Sequence, residues 1–470
     1  MNKTITGIYS KLPSSFKSIA ASIYGYHLKR WRYGSDTEKL VQEARERETW
    51  DADKWKNWKE ERLAFMLEHA ATKVPYYREY WNKKQQQGEN ISWKKLENWP
   101  ILTKEVLRQN PDAFITDGYD KSKMYREHTS GTTGTPLDFW CSRDLLHQWY
   151  AMFELRWRRW YGVSLQDNWA IFGGQNIIPL SNSKPPFWVW NKASNQLYMS
   201  AFHMRPEFMK YYLEALKKYN IVHIYSYSES VNQLAMAALI EKVKIKLKVV
   251  VTDAEPLFAY QKETINKAFD CPVRETYGQA EMLCAAGECE YGKLHLWPEA
   301  GYEELLDESN LPVKNGTPGR IISTSLMNEG MPLIRYDLMD MAQFPAEQKL
   351  CDCGRAMPVV EKFMGRLDDA IQTADGRKLV QIDGILGSHL KIKEAQIIQE
   401  TLNDFTVKVV PAEGWSDLTR KTLIDSLKGL IGDVSVNVEE VEEIPRTWMG
   451  KFRIVQSKLK KKEPVKNNSN

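Results

Sequence analysis

Residues 221–252 read IVHIYSYSESVNQLAMAALIEKVKIKLKVVVT and predict a strand, a helix and a second strand in succession. The flanking segments IVHIYSY and LKVVVT are short runs rich in β-branched and aromatic residues, which favour buried strands. Between them, ESVNQLAMAALIEKVK spaces its apolar residues with the period of a helix. Because a strand, a crossover helix and a parallel strand form the unit of an α/β sheet, we expect a parallel sheet covered by helices.

The same alternation continues on both sides of this stretch. NWAIF (168–172) and PVRETYG (272–278) predict strands, RPEFMKYYLEALKKYN (205–220) predicts a helix, and another helix is expected near 256–268. Ligands of such sheets bind at the carboxyl ends of the strands. Candidates for a ligand pocket at that edge are Tyr225, Tyr227, Ser228, Gly173 and Gly174. Ordinary core packing is the alternative for these residues, since aromatic side chains dominate cores as well.

The length of 470 residues exceeds the size of one hydrophobic core and predicts at least two domains. Residues 1–365 are expected to form the large domain, with the helical, tryptophan-rich residues 1–120 as an outer layer. After Gly365 the strand FTVKVV (405–410), a helix near 415–431 and the strand VSVNVEEV (434–441) predict a small α+β domain, residues 366–462. Residues 463–470, a polar stretch that follows the lysines at 458–462, are expected to be a disordered tail.

Charge and apolar patterning exclude several functions. The 65 basic and 61 acidic residues balance too closely to indicate a nucleic-acid partner. Neither a transmembrane stretch nor a signal peptide is recognisable, and six cysteines in this length do not predict a disulfide framework, so we expect a cytoplasmic protein. The segment SSFKSIAASIYGYHLKRWRYG (14–34) leaves two alternatives open: a helix docked on the protein's own core, or an interfacial helix in peripheral contact with a membrane.

A run of hydroxyl and glycine residues, TSGTTGTP at 129–136, is the candidate phosphate loop. Its hydroxyls and backbone N–H groups can hydrogen-bond phosphate oxygens, and its glycines allow close approach. The Gly-Lys-Ser/Thr ending of a Walker loop is absent. Taken alone, such a run is equally typical of a flexible loop.

Four further motifs follow in order: YGQAE at 277–281, RYDLMD at 335–340, GRLDD at 365–369 and PRTWMGK at 445–451. With the phosphate loop they resemble the adenylate-forming superfamily, which includes acyl-CoA synthetases. IYSYSES (224–230), CDCGR (351–355) and the position of the phosphate loop are similar to the phenylacetate-CoA ligase-like and capsular-polysaccharide CapK-like branch. The resemblance implies a large adenylate-forming domain and a small mobile lid domain.

The resemblance also implies a reaction, in which ATP and an organic acid form an acyl-adenylate and pyrophosphate. The catalytic residues would be Lys451, Glu281 as the Mg²⁺ ligand, and Thr132. ATP or AMP would be bound by Thr129, Ser130, Gly131, Thr132, Thr133, Gly134, Tyr277, Gly278, Asp340 and Arg366, with Asp368 as the hinge of the lid. Asp337 competes with Asp340 for the ribose. Two departures from the pattern are Leu137, where many relatives have lysine, and Leu338-Met339, in place of the usual Thr-Gly.

The acceptor of the acyl group has two alternatives. Coenzyme A is the superfamily's commonest acceptor, whereas the CapK-like resemblance implies an amine on a sugar or amino acid in surface-polysaccharide biosynthesis. A non-catalytic scaffold that kept the fold is a third alternative.

Four soft ligands form a candidate zinc site of the structural kind: Cys289, His295, Cys351 and Cys353. A Cys₃His set is an ordinary tetrahedral arrangement for Zn²⁺. Reduced buried thiols and redox-active cysteines are the alternatives, and Cys284 is the substitute ligand if His295 points elsewhere.

Overall fold

The computed structural model describes residues 12–89, 91–128, 137–173, 175, 177–366, 371–374, 378–379, 390–447 and 452–459. Within these ranges the chain separates into two compact units, residues 12–363 and residues 364–459. None of the helices in the described ranges is long and apolar enough to cross a membrane.

The first unit begins with helices and a short hairpin. They are α1 (Ser14–Arg32), α2 (Thr37–Arg47), α3 (Ala52–Lys73), α4 (Pro75–Gln86), α5 (Lys104–Gln109), β1 (Tyr125–His128), β2 (Asp138–Cys141) and α6 (Arg143–Arg156). Helix α3 begins where the Asp51 carboxylate accepts the N–H of Lys54. It ends just before Pro75, whose ring disfavours helical backbone at the preceding residue and which starts α4 instead.

The remaining elements of this unit are mostly strands. They are β3 (Trp169–Gly173), β4 (Trp188–Asn191), β5 (Gln196–Ser200), α7 (Met209–Lys218), β6 (His223–Ser226), α8 (Ser228–Ile240), β7 (Val249–Thr252), α9 (Ala259–Phe269), β8 (Val273–Gly278), β9 (Ala285–Glu288), β10 (Leu294–Leu296), β11 (Gly301–Leu306), β12 (Pro318–Ser325), β13 (Tyr336–Gln343), β14 (Val359–Val360) and β15 (Lys362–Arg366).

A nine-stranded sheet has the order β14-β10-β9-β8-β7-β6-β3-β5-β4. Its central strands β5, β3, β6, β7 and β8 are parallel, which confirms the predicted α/β sheet. Strand β7 explains the continuous apolar run: Val249 and Val251 pack on one face and Val250 on the other, and all three are 0% exposed. Strands β4 and β5 had not been predicted from the sequence.

A four-stranded sheet, β11-β12-β13-β15, carries the RYDLMD motif on β13. An isolated parallel bridge joins Leu102 to Tyr336, the first residue of β13. The N–H of Leu102 donates to the carbonyl of Arg335, and the N–H of Asp337 donates to the carbonyl of Leu102. This extra rung holds the start of α5 beside the motif.

The second unit is a small α+β domain, as predicted. It contains β16 (Ile371–Gln372), β17 (Lys378–Leu379), β18 (Ile392–Gln399), β19 (Asp404–Pro411), α10 (Asp417–Ile431), β20 (Ser435–Glu440) and β21 (Val455–Ser457), with sheet order β20-β19-β18-β21. Leu423 and Leu427 of α10 share a buried cluster with Val407 and Val409 of β19. The apolar period of the helix and the alternation of the strand create this core.

Candidate functional site

Much of the predicted phosphate-binding machinery lies outside the described residues. This holds for residues 129–134 of the phosphate loop, including Thr132, and for Gly174, Asp368 and Lys451. Arg366 ends β15, and its role stays a prediction. Strands β1 and β2, which precede and follow the phosphate-loop segment, pair antiparallel from Tyr125 opposite Cys141 to His128 opposite Asp138.

The Glu281 carboxylate lies three residues beyond the carboxyl end of β8, and Glu281 is only 5% exposed. Its Oε1 accepts a hydrogen bond of 3.1 Å from the Tyr336 hydroxyl. The same oxygen is 3.5 Å from Nζ of Lys104, the first residue of α5. A buried carboxylate of this kind suits a hard cation such as Mg²⁺, which prefers oxygen ligands.

Lys104 had not been identified from the sequence. It stands in LTKEVL, a helix start with no chemical signature of its own. The bridge between Leu102 and β13 holds this segment where the ammonium group of Lys104 meets Glu281, 177 residues away in sequence. A lysine at such a distance gives no sequence signal that could have found it.

Tyr277 and Asp340 join the YGQAE and RYDLMD motifs directly. The Tyr277 hydroxyl donates to Oδ2 of Asp340 at 2.7 Å. Burial, followed by the negative charge of Asp340, raises the pKa of Tyr277 well above its ordinary value, so the hydroxyl stays a donor. One face of the Tyr277 ring stacks on Phe363 at a centroid distance of 3.8 Å.

Asp337, the competitor of Asp340, is engaged in local structure. It is 2% exposed, and its carboxylate pairs with Arg320 of β12 and accepts the N–H of Met339 at 2.9 Å. Burial raises the pKa of Asp337 although Arg320 opposes the change. Both of its oxygens thus have structural partners.

Met339 explains the departure from Thr-Gly in RYDLMD. Its φ is +61°, in the left-handed region that favours glycine. The position therefore keeps the left-handed backbone for which glycine is suited, at an irregularity in the pairing of β12 with β13, and the Asp337 carboxylate stabilises this conformation by accepting the Met339 N–H.

The predicted pocket residues that the structure describes lie at the carboxyl edge of the parallel strands. Tyr225 is in β6 and packs against Phe153 and Trp157, with ring centroids 5.7 and 6.1 Å away. Ser228 begins α8, directly after Tyr227, and its hydroxyl donates to the carbonyl of Glu255 at 3.3 Å. Tyr225 thus stands in an aromatic group at this edge.

Close packing explains two of the glycines. A Cβ on Gly278 would lie 2.8 Å from the Trp157 ring, and a Cβ on Gly173 would lie 2.1 Å from the Tyr198 hydroxyl. The Trp157 indole donates to the carbonyl of Ala286 at 2.9 Å, which fixes the ring across the β8–β9 pair. Both positions thus require glycine for close packing, and these aromatic partners had not been predicted.

The cluster of Cys289, His295, Cys351 and Cys353 assembles as predicted, with all four ligand atoms within 4.8 Å of one another. Cys289 follows β9, His295 lies in β10, and the two remaining cysteines lie in the loop before β14. His295 points into the cluster, and Cys284, the proposed substitute ligand, is not part of it.

Two separations within this cluster are close to those of tetrahedral zinc. Bond lengths of about 2.3 Å to sulfur and about 2.1 Å to nitrogen require separations of about 3.8 Å between sulfurs and about 3.6 Å between sulfur and nitrogen. The Cys289 and Cys351 sulfurs are 3.8 Å apart, and Cys353 Sγ is 3.3 Å from His295 Nε2. Hydrogen-bonded thiols would have similar spacing.

The protonation of His295 suits a ligand role. Its Nδ1 is 3.0 Å from the carbonyl of Met357, which can only accept, so Nδ1 carries the proton and Nε2 presents its lone pair. Burial lowers the pKa of His295, which keeps the ring neutral. Burial also raises the pKa of Cys351 to about 12, and bound metal is what would favour its thiolate.

Comparisons with known proteins agree with the motifs. The family described as the CapK C-terminal domain matches residues 372–458. Protein CapK of Staphylococcus aureus is 24% identical over 464 residues, covering 96% of this chain and 99% of that protein. Phenylacetate-coenzyme A ligase of Aromatoleum evansii is 23% identical, covering 66% of this chain and 70% of that protein.

The fold is also found among solved structures. The crystal structure of 2-hydroxyisobutyryl-CoA ligase in the postadenylation state has a TM-score of 0.68 at 20% identity, covering 88% of this chain and 91% of that one. Together these similarities confirm the resemblance to the adenylate-forming superfamily and its CapK-like and phenylacetate-CoA ligase-like branch.

Proposed function

We propose that this chain, a relative of CapK and of the phenylacetate-coenzyme A ligases, is an AMP-forming ligase that activates an organic acid as its acyl-adenylate. A carboxylate oxygen of the acid attacks the α-phosphorus of ATP, the bond to the β-phosphate breaks, and pyrophosphate leaves. An acceptor then attacks the acyl carbon, loses its proton, and AMP leaves.

The observation that carries this proposal is the meeting of the YGQAE motif, at the carboxyl end of β8 in the nine-stranded sheet, with the RYDLMD motif on β13 of the four-stranded sheet. Tyr277 bonds Asp340, and Glu281, four residues after Tyr277, bonds Tyr336 of the same strand as Asp340. This arrangement offers one carboxylate for the ribose hydroxyls and another for Mg²⁺, which would neutralise phosphate charge. Repulsion between a carboxylate substrate and a triphosphate is the main obstacle to the reaction, so such neutralisation is what the site must supply.

Lys104 adds a cation to this arrangement. In the structure its ammonium group pairs with Glu281 at 3.5 Å. A metal ion held by Glu281 would repel Lys104, whereas phosphate oxygens beside that metal would attract it. We therefore propose that Lys104 binds the phosphates of ATP, a task for which Leu137, buried next to the phosphate loop, is unsuited.

The proposed acceptor is coenzyme A, the acceptor in the name of the phenylacetate-coenzyme A ligases. An amine on a sugar or amino acid is the second candidate. It is favoured by the similarity to CapK, which extends over 96% of this chain and includes the small domain, whereas the similarity to the ligase of Aromatoleum evansii covers 66%.

We further propose that Cys289, His295, Cys351 and Cys353 bind a structural zinc ion. The ion would join the β9–β10 turn to the loop before β14, because two ligands come from each segment. With all four positions taken by protein ligands, the site would be structural rather than catalytic.

The decisive experiment is ATP–pyrophosphate exchange with a panel of aromatic, amino and sugar acids. We expect one class of acid to stimulate exchange, and Lys451→Ala and Glu281→Gln to reduce it by at least about 100-fold, the scale of lost electrostatic stabilisation. Lys123→Ala, at an 82% exposed side chain, is the matched control. If no acid stimulates exchange, or both variants exchange like the control, the chain is a scaffold and the proposal fails.

The acceptor is tested with the active acid. Coenzyme A should yield a thioester and consume one ATP for each product, whereas an amino sugar or amino acid should yield an amide. Amide formation without thioester would replace coenzyme A by the amine in this proposal.

A further inference from the structure

One face of helix α1 is anchored on the edge strand β4. The Ser18 hydroxyl accepts the N–H of Trp190 at 3.1 Å, and the Ser22 hydroxyl donates to the Trp190 carbonyl at 3.3 Å. Gly25 lies so close to Asn191 that a Cβ would be 2.2 Å from its side-chain oxygen. The helix thus covers an otherwise unpaired sheet edge, and these contacts set which of its faces points outward.

The outward face carries a stripe of large apolar side chains. Phe16, Ile19, Ile23 and Tyr26 are 56%, 56%, 68% and 60% exposed. Their spacing of three, four and three residues places them on one side of the helix. Single exposed apolar residues are common on protein surfaces, but four on one helix face form a continuous patch.

The charge around this stripe has one sign. Residues 12–35 and 177–200, which contain α1 and the edge strand, include six Lys or Arg residues and no Asp or Glu. The whole chain has 65 basic and 61 acidic residues, so the excess of basic residues in these two segments is local. Four of the six are exposed: Lys29, Arg30, Lys184 and Lys192.

We propose that α1 docks the protein on an anionic lipid bilayer, with the apolar stripe among the acyl chains and the basic side chains at the lipid phosphates. An apolar stripe bordered by basic groups is what such a surface binds. A second copy of the chain fits less well, because a two-fold contact would place two basic surfaces against each other. Four side chains also fall well short of the roughly 20–30 residues that each partner contributes to a stable protein interface.

The test is flotation of the full chain with vesicles of phosphatidylcholine alone or with phosphatidylglycerol. Binding is expected only to the anionic vesicles, weakening between about 0.1 M and about 1 M salt as screening increases. Ile19→Ser combined with Ile23→Ser should lower the partition coefficient roughly 100-fold, about tenfold for each apolar side chain removed from the bilayer. Arg30→Glu should lower it at least about fivefold.

The matched control is Ile240→Ser combined with Leu311→Ser, two residues that are 75% and 61% exposed elsewhere in the unit. This variant should bind as the wild type does. Both pairs of side chains are already exposed, so folding is preserved, which circular dichroism verifies. Equal binding to neutral vesicles, no binding to anionic ones, or unchanged binding of the Ile19/Ile23 variant would overturn the proposal. So would a wild-type dimer that dissociates only in that variant and binds no lipid.

Discussion

A buried network of ion pairs joins helices α2 and α6 to Glu299, which follows β10. We expect removal of the Glu299 carboxylate to destabilise the fold. The Glu299 carboxylate accepts two hydrogen bonds from Arg156, at 2.8 and 3.0 Å, and one from Arg47 at 2.9 Å. Arg156 is 0% exposed, and its Nε donates to Glu48 at 3.1 Å. Removal of the Glu299 charge therefore leaves a fully buried guanidinium with one carboxylate instead of two.

The pKa of Glu299 indicates how much this carboxylate contributes to the free energy of unfolding. Burial by itself raises this pKa, but Arg156 and then Arg47 lower it from the ordinary 4.5 to about 2. A change of that size corresponds to about 3 kcal/mol of favourable interaction in the folded state. Loss of one partner of a buried ion pair costs about 3–5 kcal/mol, the same range. We expect Glu299→Gln to lower the free energy of unfolding by about 3 kcal/mol.

The sign of the pH dependence follows from the lowered pKa. The contribution of Glu299 is fully present above about pH 4.5 and is lost as the pH falls toward about 2. The difference in unfolding free energy between wild type and Glu299→Gln should therefore be constant from pH 7 to about 5 and shrink below that. Denaturant unfolding followed by tryptophan fluorescence measures this difference. The signal reports on the unit that contains Glu299, because fifteen of the 17 tryptophans precede residue 364.

The matched control is Glu329→Gln, which removes a carboxylate from an ion pair with Arg62 at the surface, where the side chains are 37% and 25% exposed. Its cost should stay below about 1 kcal/mol. If Glu299→Gln costs no more than this control, or its cost does not change on acidification, the reasoning from the buried network is wrong.

Three further changes test the site. Lys104→Ala should lower kcat/KM for ATP in pyrophosphate exchange about 10- to 100-fold, the value of a charged hydrogen bond, with partial rescue by Lys104→Arg; equal activity of all three proteins would exclude a phosphate contact. Met339→Gly, at φ +61°, should be at least as stable as the wild type in denaturant, whereas Met339→Val should be less stable, because a β-branched side chain is least tolerated in this region; the reverse order would contradict the strain. Elemental analysis should find one zinc per wild-type chain and per Cys271→Ser, but none in Cys289→Ser; a metal-free wild type would end the zinc proposal.

Local periodicity determined much of the fold. The strand around Val250 is apolar on both faces because helices cover both sides of a parallel sheet, and that pattern can be read without any tertiary information. The small domain was equally recognisable, because the alternation of β19 and the helical period of α10 are strong local signals. Strands β4 and β5 escaped prediction because WVWN and QLYMS are short and lie between turns.

Residue chemistry and spacing also determined part of the candidate site. Ordered motifs pointed to Tyr277, Glu281 and Asp340, and Cys-x-Cys with a distant Cys and His pointed to one cluster. Both sets of residues could be singled out because side chains of these types stand out against a background of ordinary residues.

Only the tertiary structure decided which neighbours these groups have. Lys104 lies beside Glu281 because a backbone bridge joins Leu102 to β13. Asp337 differs from Asp340 because its carboxylate pairs with Arg320. Neither fact has a sequence signature, because contacts between residues far apart in the chain depend on how whole elements pack. The tertiary structure also shows which face of α1 packs on β4 and which face is exposed, a division that amphipathic periodicity alone cannot assign.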